Sequence, residues 1–206
     1  MKILTEQEAE DFLEKRKFPV ARRLTAKTKE QALAAAKKLG FPLTLKIISK
    51  KILHKSIVNG VKLNINSNED VEKAFDELKK IRNFEAALVQ KFIPGEYVLI
   101  GLKKDPTFGH VIAFGLGGIF TEVIKDVSFR VCPITKKDAE EMMHEIKGYA
   151  ILKSDHEKFN INAIKNILLK ISALAQKNPK IKELDINPVV VNEKKATIVD
   201  ARIIFE

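Results

Sequence analysis

Residues 183–200, ELDINPVVVNEKKATIVD, decide how the rest of the chain is read. Two short runs rich in Val and Ile flank the polar segment NEKK, the pattern of a β-hairpin. Side chains alternate along a strand, so Glu183, Asp185 and Asn187 share one face of the first strand and Leu184 and Ile186 the other. Asp200 falls in the second strand, within IVDARII. Such a face is either solvated, as one side of an antiparallel sheet commonly is, or holds a cation, because buried acids are costly without one. Hard oxygen donors of this kind suit Mg²⁺, which takes one or two carboxylates and completes its shell with water and phosphate.

Around that hairpin lies an ordinary globular composition: 206 residues, 45% hydrophobic and 31% charged, enough for one domain or two small ones. No apolar run reaches the roughly 20 residues of a membrane helix. The N-terminus, MKILTEQEAEDFLEKRK, lacks the apolar core of a signal peptide, and a single cysteine, Cys132, fits a reducing compartment. A cytoplasmic protein is expected, with no membrane partner. The net charge of +10 raises the question of nucleic acid, but the lysines are spread among Glu and Asp, as in KKIRNFE, without a basic block interleaved with aromatics. A lysine-rich solvated surface explains the charge better, and an anionic ligand such as a nucleotide would add to it.

Taken in order, residues 5–17 open with Thr5 and Glu8 at capping-box spacing and predict a helix; residues 18–26 predict a short strand. A second helix is expected over 28–39, with Gly40 as its stop, then a buried strand over 41–48. A strand at 61–65, a helix at 68–81 and a strand at 86–93 follow, the last ending at Pro94-Gly95. Closely spaced strands then form an antiparallel meander over EYVLIGLKK, HVIAFGLGG, IFTEVIKD and SFRVCPI. Helices at 136–146 and 160–176 precede the hairpin. This order predicts an α+β protein in two lobes, residues 1–94 with the N-terminal helix and residues 95–206 with the hairpin.

Several residues carry chemistry. Lys46 lies mid-strand, either snorkelling at an edge or aimed at phosphate. Gly115, Gly117 and Gly118 separate two apolar runs; they suit either a structural bulge or a backbone nest for an anion. His54 sits among Lys50, Lys51 and Lys55, and a neutral imidazole is a good nucleophile toward phosphoryl groups. Glu96 follows the Pro-Gly turn, within reach of a ribose hydroxyl or simply on the surface.

Together, LGFPLTLKIISKKILHKS, LVQKFIPGEYVLIGLKKDPTFG, FGLGGIFTEVIKDVSFRVCPI and ELDINPVVV…VDARI resemble the ATP-grasp β subunit of archaeal ADP-forming acetyl-CoA (acyl-CoA) synthetase, a relative of succinyl-CoA synthetase. The resemblance implies an ATP-grasp fold, two α+β lobes clasping Mg–ADP or Mg–ATP. The implied reaction turns acyl-CoA, ADP and phosphate into acid, CoA and ATP through phosphohistidines. It implies Lys46 on the nucleotide phosphates, Gln90, Lys91, Phe92 and Ile93 as the adenine hinge, Glu96 near the ribose, and Gly117 and Gly118 at the phosphate turn. Asn187 and Asp200 are the implied Mg²⁺ ligands, Asp185 a contact for the incoming phosphohistidine, and His54 the relay histidine. The implied partner is a CoA-binding α subunit in an α2β2 hetero-oligomer. Where the family reads HKSDVGGV, this chain reads HKSIVNGV, with Ile57 for an acid and Asn59 for a glycine; a Gly-Arg-Gly-like turn is also missing from residues 151–162. Those departures keep two other readings open: another ATP-grasp carboxylate ligase, and a non-catalytic nucleotide-binding regulatory subunit.

Overall fold

The computed structural model of the chain describes residues 1–52, 55–117, 126–153 and 159–206. It runs β1 (Lys2–Ile3), α1 (Glu6–Glu14), β2 (Arg23–Ala26), α2 (Lys29–Leu39), β3 (Leu43–Ile48), β4 (Val61–Ile65), α3 (Asn68–Lys79) and β5 (Ala86–Lys91). Then come β6 (Glu96–Asp105), β7 (Gly109–Leu116), β8 (Val127–Val131), α4 (Lys136–Glu145), α5 (Tyr149–Leu152) and α6 (Ile161–Lys177). The chain closes with β9 (Ile181–Val191), β10 (Ala196–Ile198) and β11 (Ala201–Phe205). The helix starts follow local chemistry: at α1 the Thr5 hydroxyl accepts from the Glu8 amide while the Glu8 carboxylate accepts from Thr5, at 3.3 and 2.8 Å. At the far end of α2, Gly40 takes φ 72°, and its amide donates to the Ala36 carbonyl.

Contacts divide the chain into two units, residues 21–93, and residues 1–20 together with 94–206. In the first, an antiparallel sheet of order β2-β5-β3-β4 carries α2 and α3 on one face. Ala32, Ala36, Val71, Phe75 and Leu78 from the helices meet Leu43, Leu45, Ile47 and Val89 from the strands. The second unit is built on a sheet of order β1-β11-β9-β6-β7-β8, with β10 also paired to β9. Here Met142 of α4 and Ile167 and Ile171 of α6 pack on Val98, Ile100, Phe114, Leu184, Ile186 and Ile203.

Two expectations change. Residues 1–20, expected with the smaller lobe, belong to the larger unit: β1 pairs with β11, and Leu4, Ala9, Leu13 and Phe18 enter the larger core. The predicted strand over 18–26 shrinks to β2, with Val20 making one parallel bridge to Ile198. Residues 119–125 of the expected IFTEVIKD strand lie outside the described residues.

Candidate functional site

In the unit of residues 21–93, alternation along β3 sends Leu43, Leu45 and Ile47 to the helices and Thr44, Lys46 and Ile48 to the opposite face. Lys46 is 5% exposed and lies between Leu88 of β5 and Val61 of β4, so it stands on an interior strand. The snorkelling-edge alternative therefore fails. Its face is polar as well as buried: Thr44 is the register partner of Gln90, both nearly inaccessible, and Arg23 stands opposite Gln90 on β2. A buried ammonium group is sustainable only among such partners.

The three residues after Gln90 divide their roles. The Lys91 amide donates to the Arg22 carbonyl at 2.8 Å and the Phe92 amide to Pro42 at 3.1 Å. The Lys91 ammonium group ties down the turn before β3, donating to the carbonyls of Gly40 and Phe41 at 3.0 and 2.5 Å. Among the described residues, the Ile93 amide has no hydrogen-bond partner. His54 lies outside the described residues, but the turn that follows it is described. There Asn59 has φ 55°, a left-handed conformation that glycine adopts freely and Asn tolerates, so this departure from the family pattern keeps the turn. Gly60 admits nothing larger, since a Cβ would lie 2.5 Å from the Ile47 side chain. Ile57, where the family has an acid, is 81% exposed.

In the larger unit, β9 alternates as its sequence predicts: Leu184 and Ile186 are buried against the helices, Glu183 and Asp185 are half-buried and Asn187 is exposed. Asp200 is not inside a strand, as expected, but in the gap between β10 and β11. Pro188 explains the gap. It has no N–H to return a ladder bond, and the Val199 amide donating to the Pro188 carbonyl at 3.3 Å is what remains. The ladders on either side keep one register, Ile198 opposite Val189 and Ala201 opposite Ile186, which sets Asp200 directly across from Asn187. Arg202 faces Asp185 across the ladder and donates to Glu183 at 3.0 Å, so one cation for this acidic face comes from the chain itself.

The described part of the glycine turn, Gly117, lies at the end of β7 in the same sheet. Val98 pairs with Leu116 on β7 and with Val189 on β9, so the ends of β7 and β9 lie two strands apart, about 10 Å. The Gly117 amide donates to the Tyr97 carbonyl at 2.7 Å, and a Cβ on Gly117 would lie 3.1 Å from the Tyr97 backbone. Half-buried Glu96 is the neighbour of Tyr97 at the start of β6. Gly118 lies outside the described residues. Among the described residues no three acidic, His or Cys side chains gather as a metal site. The oxygens of Asn187 and Asp200 fit an ion that keeps water and phosphate in its shell, and not one caged wholly by protein.

Sequence reasoning overlooked Thr44, though it lies two residues before Lys46 on the same strand and alternation alone would have placed them on one face. It read Gly95 as a turn signal only; with φ 149°, a Cβ there would meet the Val191 carbonyl oxygen at 2.2 Å.

A family model described as ATP-grasp domain matches residues 1–205. The chain is an ATP-grasp protein. Its two sheets with their helices are this fold. It is 42% identical over 212 residues to subunit beta of the ADP-forming acetate–CoA ligase I of Pyrococcus furiosus, covering 98% of this chain and 91% of that subunit. It is 41% identical to the ADP-forming acetate–CoA ligase II of Archaeoglobus fulgidus, where this ATP-grasp chain corresponds to 30% of a longer polypeptide. Among solved structures, the dinucleotide-forming acetyl-coenzyme A synthetase 1 of Ca. Korarchaeum cryptofilum, in complex with coenzyme A and Ca-AMPCP, superposes with a TM-score of 0.94 at 42% identity, covering 100% of this chain and 94% of that one. Other structures of that synthetase contain Mg-AMPPCP with a phosphohistidine segment pointing towards the nucleotide binding site, or acetyl-coenzyme A with the segment phosphorylated.

Proposed function

We propose that this ATP-grasp chain is the β subunit of an ADP-forming acyl-CoA synthetase, acting in the cytoplasm with a CoA-binding α subunit, as an α2β2 assembly. The observation that carries the reading is the pairing of Asn187 with Asp200 at a strand break, in a chain 42% identical to an acetate–CoA ligase β subunit over 91% of that subunit. Asn187 and Asp200 would hold Mg²⁺, which when bound would neutralise charge on the nucleotide phosphates. Lys46 supplies a positive charge to the same phosphates, and the turn of Gly117 and Gly118 lets the backbone approach them closely, with the Gly117 amide itself bonded to the Tyr97 carbonyl. The Ile93 amide, which has no partner among the described residues, donates to adenine, while the Lys91 and Phe92 amides hold the hinge in place. Glu96 accepts from a ribose hydroxyl. His54 takes the phosphoryl group from a phosphohistidine of the partner, which Asp185 orients. When the P–N bond at His54 breaks, a P–O bond to the terminal oxygen of ADP forms and ATP leaves.

Phosphoryl transfer asks mainly for positioning and charge neutralisation, which these residues supply without covalent chemistry at the nucleotide end. The test is to incubate the chain with its α subunit, acyl-CoA, ADP, Mg²⁺ and phosphate and to follow ATP. ATP formation that is lost in His54→Ala supports the reading. Retained turnover in His54→Ala would point to a carboxylate ligase working through an acyl phosphate. The second reading, a nucleotide-binding regulatory subunit, is favoured by one observation: exposed Ile57 stands where the family has an acid. It predicts nucleotide binding without ATP formation under the same conditions.

A further inference from the structure

One rim of the larger unit carries a groove to which the proposed function gives no role. It holds about 600 Å³ and lies between α1 and the edge of the sheet at β1 and β11. Leu4, Phe12 and Phe205 line its apolar part, the rings of Phe12 and Phe205 meeting edge to face at 5.7 Å. Phe12 belongs to a stripe with Glu8, Asp11, Lys15 and Arg16, whose spacing sets them on one side of α1 and the turn that ends it. All of these residues fall within one unit, residues 1–20 and 94–206. The groove's charge is uneven. Lys2, Lys15 and Arg16 stand against two acids, and one of these, Glu8, is occupied with Thr5, whose amide and hydroxyl donate to it at 2.8 and 3.0 Å. Among the described residues neither Lys2 nor Lys15 has an ion-pair partner.

The sheet is open at the same place. β1 pairs with β11 alone and stands at the end of the strand order. The Leu4 amide donates to the Ile203 carbonyl at 3.0 Å, and bonded residues alternate along an antiparallel pair, so the amide and carbonyl of Ile3 point outward from the sheet. A short edge strand carrying a lysine is a common protection against stray pairing. Protection alone needs no apolar groove beside it. An outward-facing backbone next to such a groove is the arrangement that accepts an added strand, whose main chain bonds to the edge while its side chains fill the groove.

The two ends of the domain also meet at this rim, Lys2 opposite Phe205. In the Archaeoglobus fulgidus relative, where the domain is 30% of one polypeptide, the rest of the synthetase is therefore joined to it here. We infer that in this chain the rim binds an extended end of the partner α subunit, apolar toward Phe12 and Phe205 and acidic toward Lys2 and Lys15. The inference rests on the proposed α subunit, and it separates from that proposal because an α subunit docked elsewhere would still support ATP formation.

The test is calorimetric titration of the full chain with the purified α subunit, for wild type, Ile3→Pro and the double variant Lys2→Glu/Lys15→Glu. Mg–ADP binding, thermal melting and sedimentation of each chain alone accompany it. Proline at position 3 removes an amide the sheet does not use and suits an edge strand, so the fold should stand. Ile3→Pro is expected to raise the Kd for the α subunit about tenfold, and the double variant about tenfold with a weaker dependence on salt, while the Kd for Mg–ADP stays within about twofold. Of two synthetic peptides matching the ends of the α subunit, one should compete with it for the wild-type chain. Should Ile3→Pro melt early, the double variant decides, since Lys2 and Lys15 are exposed. A double variant that binds the α subunit as tightly as wild type would overturn the inference alone, as would competition by neither peptide. So would a wild-type dimer that Ile3→Pro returns to monomer with α-subunit binding unchanged, since the rim would then join two copies of this chain. A wild-type chain that binds no α subunit would overturn the proposed partnership and this inference with it.

Discussion

In the smaller unit the polar face of the sheet is sunk: Lys46, Thr44 and Gln90 are each buried, on interior strands whose other face meets two helices. In the larger unit the corresponding face is open to water, with Asn187 exposed and Asp185 and Asp200 half-buried beside a break in pairing. The contrast fits what each face would carry in the proposed function. A lysine's charge sits on its own side chain, so burying it in a rigid strand fixes its position, and desolvation strengthens its pull on a phosphate. A divalent ion arrives from solvent with its own water, so its ligands must stay reachable and few. On the proposed reading, one face is built around a charge the chain owns and the other around a charge it would borrow.

The strongest way to break this comparison is Lys46→Met. It is expected to raise the Kd for Mg–ADP by about 30- to 100-fold in titration calorimetry, the loss of a charge-assisted contact of roughly 2–3 kcal/mol. Because a side chain of similar length keeps the packing of the strand, melting temperature should fall by less than the lost affinity would imply. A loss of melting temperature as large as the loss of affinity would mean that Lys46 is structural.

Next in size is Gly95→Ala, which asks whether the open face depends on backbone fit. Its Cβ would collide with the Val191 carbonyl, so the chain should lose about 2 kcal/mol, read as a melting temperature lower by several degrees. Asp200→Ala and Asn187→Ala are expected to raise the Kd for Mg–ADP about tenfold, to the value seen with EDTA, while Asp185→Asn leaves it unchanged and slows ATP formation with the partner subunit. If all three behaved alike, the division between metal ligands and phosphohistidine contact would be wrong. The smallest effect belongs to Arg202→Gln. Its pair with Glu183 is about a third exposed on each side, so stability should change by less than about 1 kcal/mol in denaturant melts.

Much of this was legible because local rules governed it. Thr5–Glu8, Thr28 and Gly40 announced helix ends, and alternation in ELDIN put Leu184 and Ile186 inside. The placement of α1 was not legible: Ala9 and Leu13 show that the helix buries a stripe, but an apolar stripe does not say which sheet it covers. The position of Asp200 was half legible. TIVDARII reads as continuous strand, and its interruption is imposed from across the ladder by Pro188, a residue whose missing N–H was in plain view. Lys46 illustrates the opposite case, where the sequence left an edge strand and an interior strand equally open and only the order β5-β3-β4 separates them. The long-range pairing, not the residue, carried that information.

The first and last strands lie side by side, Lys2 against Phe205 and Ile3 against Ile204, at one rim of the larger sheet. A tether leaving either end therefore departs from the same place, and a neighbouring module joined before this domain or after it would start from nearly the same anchor point. Gene fusion and fission thus demand little of the domain itself: the same fold serves as a separate subunit in Pyrococcus furiosus and as under a third of a single polypeptide in Archaeoglobus fulgidus.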